Sequence, residues 1–267
     1  MKKIIFGLSI LFCIFPLITI GAPPSPALLD EITQKIDAGL KSIDKDIAKT
    51  AETIGYYVAH TPSKRRALRE LCAGKEYAVD CVFINTAGVM ELVEPEKHRK
   101  SEGTNIKSQE LVAKIQTTKK PVFSQLFPAA EGLQGIVFEY PVFDRKKTFA
   151  GSVSLFIMPE IFVAKILKDT RLPAGTGITI VEPDGRNVYS TEPEQTRLSV
   201  LTSPQYKGFN ELHEMVRRVL NEKEGTGTYH YTKPGTEVIV RKDAIWKTVI
   251  LWDSFWRVVV TSEAHTR

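Results

Sequence analysis

Cysteine is scarce in this chain, with three in 267 residues, and Cys13 falls within an apolar N-terminal stretch. That leaves Cys72 and Cys81, too few thiols to build a zinc site without further ligands. The histidines, His60, His98, His213, His230 and His265, are scattered, and no two have the spacing of a metal-binding pair. Phosphate-cradling loops are missing as well, because Gly175-Thr-Gly177 and Gly225-Thr-Gly227 lead into strand-like runs and not into helices. Ser152 and Ser154 lie inside a strand-like run without the Gly-x-Ser-x-Gly elbow of hydrolases. Glu94 and Glu139 could act as acids, but nothing in the sequence places them together. The expectation is therefore neither an enzyme nor a cofactor- or metal-binding protein. A strong charge excess is also lacking. The formal charge of +5 falls to +3 once Lys2 and Lys3 are set aside, too little to argue for a nucleic-acid partner.

Beyond residue 21 no apolar run is long enough to span a membrane. Residues 1–21 themselves have the form of a secretory signal peptide, with Lys2 and Lys3 followed by the apolar run Ile4 to Gly21. The competing reading is an uncleaved anchor, against which Pro16 and the small residues at the end of the run speak. Export places the mature chain in the periplasm or outside the cell, soluble or tethered at its N-terminus. In that oxidising compartment Cys72 and Cys81 are expected to form a disulfide in preference to two free thiols.

Residues 22–27 read as a linker, and 28–72 as a long helical rod followed by a short helix. Leu29, Ile32, Ile36, Leu40, Ile43, Ile47, Ala51, Ile54 and Val58 recur every three or four residues, the period of an α-helix, over about 45 Å of rod. The opposite face carries Lys35, Asp37, Lys41, Asp44, Lys45 and Lys49. A single stripe of this length must lie along the chain's own sheets, along the same helix of a second subunit in a homodimer, or both.

The remainder of the chain contains one pattern twice. Val79 to Leu92 reads strand, turn at Gly88, strand, and Gly177 to Tyr189 does so again around Pro183-Asp-Gly185, where Pro sets φ and Gly accepts a positive φ. In the first copy a helix over 108–117 precedes strands over 121–127, 135–142 and 149–157, with a connecting helix over 159–168. In the second, a helix over 206–222 precedes strands over 226–232, 237–250 and 254–262, rich in β-branched and aromatic residues. The fold class is α+β: a long N-terminal helix and two modules, over 73–170 and 171–267, each a roughly five-stranded antiparallel sheet with helices.

The order and spacing of these segments resemble the double Cache (dCache) family of extracellular, PAS-like sensor domains. The matching residues are Gly88 and Gly185, Gly103-Thr-Asn-Ile106, Lys120-Pro-Val-Phe123, Tyr140-Pro-Val142 with Phe149-Ala-Gly151, Ile180 to Gly185, and Trp256 to Thr261. The resemblance implies a membrane-distal module over 73–170, which in the family usually holds the ligand, and a membrane-proximal one over 171–267. Two departures stand out. The amino-acid motif of the family is missing, with Lys107-Ser-Gln-Glu-Leu111 at the helix and Phe156 where an Asp is expected, so an amino-acid ligand is not supported. Most members also continue into a transmembrane helix and an output domain, so signalling is expected to run through a separate membrane receptor or kinase partner.

In the first module Gln125, Tyr140 and Ser154 could offer hydrogen bonds from three strands, Phe123 and Phe156 apolar walls, and Lys107 a positive charge for a carboxylate. The bland alternative for each is core packing or, for Lys107, solvent. The second-module aromatics Tyr229, Tyr231, Trp246, Trp252, Phe255 and Trp256 could form a carbohydrate platform, although packing is the ordinary role of such residues. Lys64-Arg-Arg66 and Lys97-His-Arg-Lys100 read as solvated basic runs. Two functions are compatible with these readings: an exported sensor of a small metabolite serving signal transduction or chemotaxis, or a structural protein that kept the fold without a working pocket.

Overall fold

The computed structural model of the chain describes residues 23–128, 133–232 and 238–264. The signal peptide expected over 1–21 lies outside them. Helix α1 (Pro26–Tyr56) begins earlier than the expected linker allows. The Ser25 hydroxyl accepts the Leu28 N–H at 3.3 Å, and Pro26 occupies the first turn, where its missing N–H is not needed. Helix α2 (Thr61–Cys72) comes next, capped by His60, whose ring nitrogen accepts the Ser63 N–H.

The first sheet is built from β1 (Ala78–Asn85), β2 (Met90–Glu94), β3 (Val122–Phe123), β4 (Phe127–Pro128), β5 (Gln134–Phe143) and β6 (Phe149–Ile157), with α3 (Glu110–Thr118) between β2 and β3. Helix α4 (Pro159–Leu167) leads to the second sheet, β7 (Thr176–Val181), β8 (Asn187–Ser190), β9 (Gly225–Thr232), β10 (Ile239–Leu251) and β11 (Ser254–Ala264), with α5 (Asn210–Asn221) between β8 and β9. The first sheet runs β2-β1-β6-β5-β3, with β4 on β5, and the second β8-β7-β11-β10-β9. Each path joins an opening hairpin to the last strand of its module and then runs backwards, so the sequence repeat is a repeat of topology. The pairings in both sheets are antiparallel.

One expected strand is broken. Residues 121–127 give β3 and β4 with an irregular step between, because Leu126 turns its N–H out of the ladder to Glu182 Oε2 of the second module, 2.8 Å away. Cys72 at the end of α2 and Cys81 in β1 form a disulfide with a Cα–Cα distance of 6.0 Å.

The stripe of α1 is buried from Leu29 to Ile54, with none of its apolar residues more than 3% exposed. It packs on β10 and β11 of the second sheet and on β5 and β6 of the first. Asp30 pairs with Lys247, the Asp44 carboxylate accepts the Trp252 indole N–H at 3.2 Å, and Gly55 lies so close to the Phe143 carbonyl that a Cβ there would overlap it. The chain's own sheets therefore cover the stripe, the first of the two expected arrangements. Outward, α1 carries ion pairs such as Lys35–Glu31 and Lys41–Asp37.

Candidate functional site

Strand alternation divides the first sheet into two faces. Phe123, Phe138, Val153 and Leu155 join the core shared with α1, and Tyr140 packs against it. On the other face Val82, Ile84 and Val93 cluster with Val112 of α3. Directly paired residues share a face, so the pairings Val82↔Ser154, Ile84↔Ser152, Glu139↔Ser154 and Val137↔Phe156 place Ser152, Ser154, Phe156 and Glu139 beneath α3.

The six residues expected to line a pocket are thus not brought together. Ser154 and Phe156 lie on the α3 face, and both are buried. Phe123 stacks on Phe138 at 4.6 Å and meets Trp256 at 5.5 Å, while Tyr140 sits 6.1 Å from Trp252. These two belong to the opposite face, since Phe123 pairs with Phe138 and Tyr140 comes two residues after it. Gln125 is exposed in the step between β3 and β4. Lys107 is exposed ahead of α3, with its backbone against Gly88.

The group that sequence reasoning undervalued is Glu139. It is 1% exposed, in the middle of the longest strand of its sheet, and α3 covers β5. The Ser152 hydroxyl donates to its Oε1 at 2.5 Å, and among the described residues no cation pairs with it. Burial pushes its pKa up to about 7, with the Ser152 hydrogen bond pulling the other way. A lone Glu inside the apolar run Gly135 to Val142 was the available signal. The carboxylate thought to be missing for an ammonium ligand is present on β5, one strand away from Phe156.

Glu94 has a different role. It is 1% exposed and receives Arg65 Nη1 at 3.1 Å and Arg99 Nη2 at 2.9 Å. Two strands lie between Glu94 on β2 and Glu139 on β5, which separates them by about 14 Å and removes any paired acid–base chemistry. The expected solvated basic runs are corrected by the same contacts. Lys64 is buried, paired with Glu91 and 4.6 Å above the Phe83 ring, and Arg65 and Arg99 close on Glu94. Charge spacing along a chain carries no information about such long-range pairing.

A third buried carboxylate, Glu182 at the end of the β7 hairpin, accepts the Leu126 N–H. Burial pushes its pKa up to about 8, although the Leu126 hydrogen bond favours the charged form. Of the two readings of the second-module aromatics, packing holds for the tryptophans Trp246 and Trp256, each 1% exposed and in the core, which leaves no carbohydrate platform centred on them. Among the described residues no group of three or more His, Cys, Asp or Glu could hold a metal ion, and no helix is long and apolar enough to cross a membrane.

Residues 38–159 match the family described as HK/GC/Chemotaxis protein-like, sensor domain, a sensory and not a catalytic family. Among solved structures the chain is similar to an extracellular ligand-binding receptor from Desulfohalobium retbaense, with 26% identity and a TM-score of 0.73 over 89% of this chain. It spans 40% of the length of that receptor chain. The ligand-binding domain of the Pseudomonas aeruginosa amino acid chemoreceptor PctB in complex with L-Gln has 11% identity and a TM-score of 0.61, over 89% of this chain and 88% of that one. That of the Pseudomonas fluorescens chemoreceptor CtaA in complex with L-leucine has 11% identity and a TM-score of 0.62, over 89% and 92%. The last two likenesses concern the fold. Among curated proteins no match was found.

Proposed function

We propose that the chain is a double Cache sensor domain, in keeping with the sensor-domain match over 38–159, and that it is exported and recognises through its first module, over 73–170, a small metabolite carrying an ammonium group. The chain would act in signal transduction or chemotaxis through a separate membrane receptor or kinase, from the periplasm or the cell exterior, and would have no catalytic activity. The second module, over 171–267, takes the membrane-proximal place.

The observation that carries this reading is Glu139. A carboxylate with one hydroxyl partner beneath α3 is half protonated near neutral pH. An ammonium group placed beside it would supply the missing positive charge, and Ser154, its cross-strand neighbour, would add a hydroxyl. Binding would lower the Glu139 pKa and release up to one proton. The L-Gln and L-leucine carried by two of the structural neighbours belong to the same chemical class of ammonium-bearing ligands.

The test is a thermal-shift screen of the purified chain against amino acids and primary amines, with calorimetry in two buffers of different ionisation enthalpy. A ligand whose affinity rises between pH 6 and pH 8, releases a proton and is lost in Glu139→Gln supports the reading. Binding that ignores both pH and Glu139→Gln would refute it. Phe156 favours a second reading, in which the fold is kept without a pocket. Its ring lies 5.5 Å from Phe127 and packs onto Gly135, filling space on the α3 face. In that case no member of the screen shifts the melting temperature, and Phe156→Ala costs stability without gaining a ligand.

A further inference from the structure

The second module contains a cavity that the first-module reading does not use. On the inner face of the second sheet, towards α5, is an opening of about 50 Å³ lined by Lys242, Glu192, Tyr229, Tyr231 and Thr261, with Val200 and Leu212 as its apolar wall. Lys242 reaches it from a strand position where it is 5% exposed. Burial disfavours its charge, but the Glu192 carboxylate beside it favours the charged form and the pKa is raised, so the side chain stays an ammonium. Tyr231 presents its ring 5.3 Å from the Lys242 Nζ. Tyr229 is buried beside it, and that burial pushes its phenol pKa up, so the hydroxyl keeps its proton and remains a donor. Gly177 keeps the floor open, since a Cβ there would come within 2.8 Å of the Thr261 hydroxyl.

The anion that neutralises Lys242 comes from outside the sheet and is partly exposed. Glu192 Oε1 lies 2.7 Å from the Lys242 Nζ, but Glu192 belongs to the irregular segment after β8 and its side chain is 35% exposed. Its other oxygen accepts from the Gln195 side chain of the same segment. The sheet's own carboxylate, Glu263, stands 3.9 Å from Lys242, beyond hydrogen-bond reach. The innermost charge is therefore cationic, surrounded by hydroxyl donors, and its counter-ion comes from an irregular segment and not from the sheet.

We propose that the second module binds a short monocarboxylate against the Lys242 ammonium, in the position that the Glu192 carboxylate fills in this structure. The free volume accommodates about three to five non-hydrogen atoms, the size of acetate or propionate, with the alkyl end towards Val200 and Leu212. Displacement of Glu192 would free the segment whose Arg197 pairs with Glu160 of α4, the helix that joins the two modules. Occupancy would thus be felt outside the second sheet. This inference does not depend on an ammonium ligand in the first module.

The experiment titrates sodium acetate and sodium propionate into the purified chain, with sodium chloride and methylammonium chloride at matched ionic strength, read by calorimetry and by amide chemical shifts. Saturable binding of the carboxylates is expected, strengthened several-fold by Glu192→Gln, which removes the competing anion. Lys242→Met should abolish it, and Tyr229→Phe, a variant with little reason to unfold, should weaken it several-fold. Glu139→Gln should leave it unchanged, which separates this site from the one proposed in the first module. Absence of saturable carboxylate binding in both the wild type and Glu192→Gln overturns the proposal. So does unchanged affinity in Tyr229→Phe together with Lys242→Met, or displacement of acetate by methylammonium.

Discussion

Replacing Glu139 by Gln should stabilise the protein, and by an amount that depends on pH. In the unfolded chain the carboxyl titrates near its ordinary value of 4.5, and in the folded chain near 7. Between those values the folded state holds the proton more tightly, so stability falls as pH rises through that window and levels off above about pH 8. The difference of some 2.5 units corresponds to about 3 kcal/mol of destabilisation by the ionised, buried carboxylate. The amide introduced by Glu139→Gln has the shape of the protonated acid and can still accept from Ser152, but it cannot ionise. Urea unfolding of both proteins from pH 4.5 to pH 9 should give curves that nearly coincide at the acidic end. They should separate with rising pH until the variant leads by up to about 3 kcal/mol. Glu182 and the other titrating groups are common to both proteins and cancel in the difference. Parallel curves would mean that Glu139 has an unperturbed pKa in the folded state, and with that the argument for an ammonium ligand fails.

Arg257→Met should cost about 2 to 3 kcal/mol in urea unfolding, because the buried guanidinium donates to Val219 O at 2.8 Å, Leu220 O at 3.1 Å and Thr248 Oγ1 at 2.8 Å, closing the end of α5. The double variant Cys72→Ser, Cys81→Ser should lose about 2.5 kcal/mol with little change in far-UV circular dichroism, the entropy of a short loop in the unfolded chain. Gly55→Ala should lower the melting temperature more than Gly39→Ala does. The Cβ at 55 meets the Phe143 backbone oxygen, whereas at 39 it meets the movable tip of Ile166.

Features with a period were legible in the sequence. The α1 stripe from Leu29 to Ile54 is buried as its spacing implies, and the repeated hairpins at Gly88 and Gly185 recur as the first two strands of two like-ordered sheets. Features set by pairing across the chain were not. The faces of Phe123 and Tyr140 depend on register with Phe138, which no local pattern encodes. The split of the expected 121–127 strand depends on Glu182, 56 residues from Leu126. Lys64 and Arg65 look solvated in a basic run, and their partners Glu91 and Glu94 lie on another element. Glu139 was visible as a charge within an apolar strand, but that it would lie beneath a helix became clear from strand order alone.

The contact between Asp30 and Lys247 joins residues 217 positions apart, the first turns of α1 to the next-to-last strand. A chain made from its N-terminus at about 5 to 20 residues per second needs roughly 10 to 40 seconds to bring the two within reach of each other. During that interval Leu29 and Ile32 have no sheet to cover them. The same helix that binds the finished modules into one body is thus the segment longest exposed while the chain is made, and it sets a high contact order for the last stage of folding.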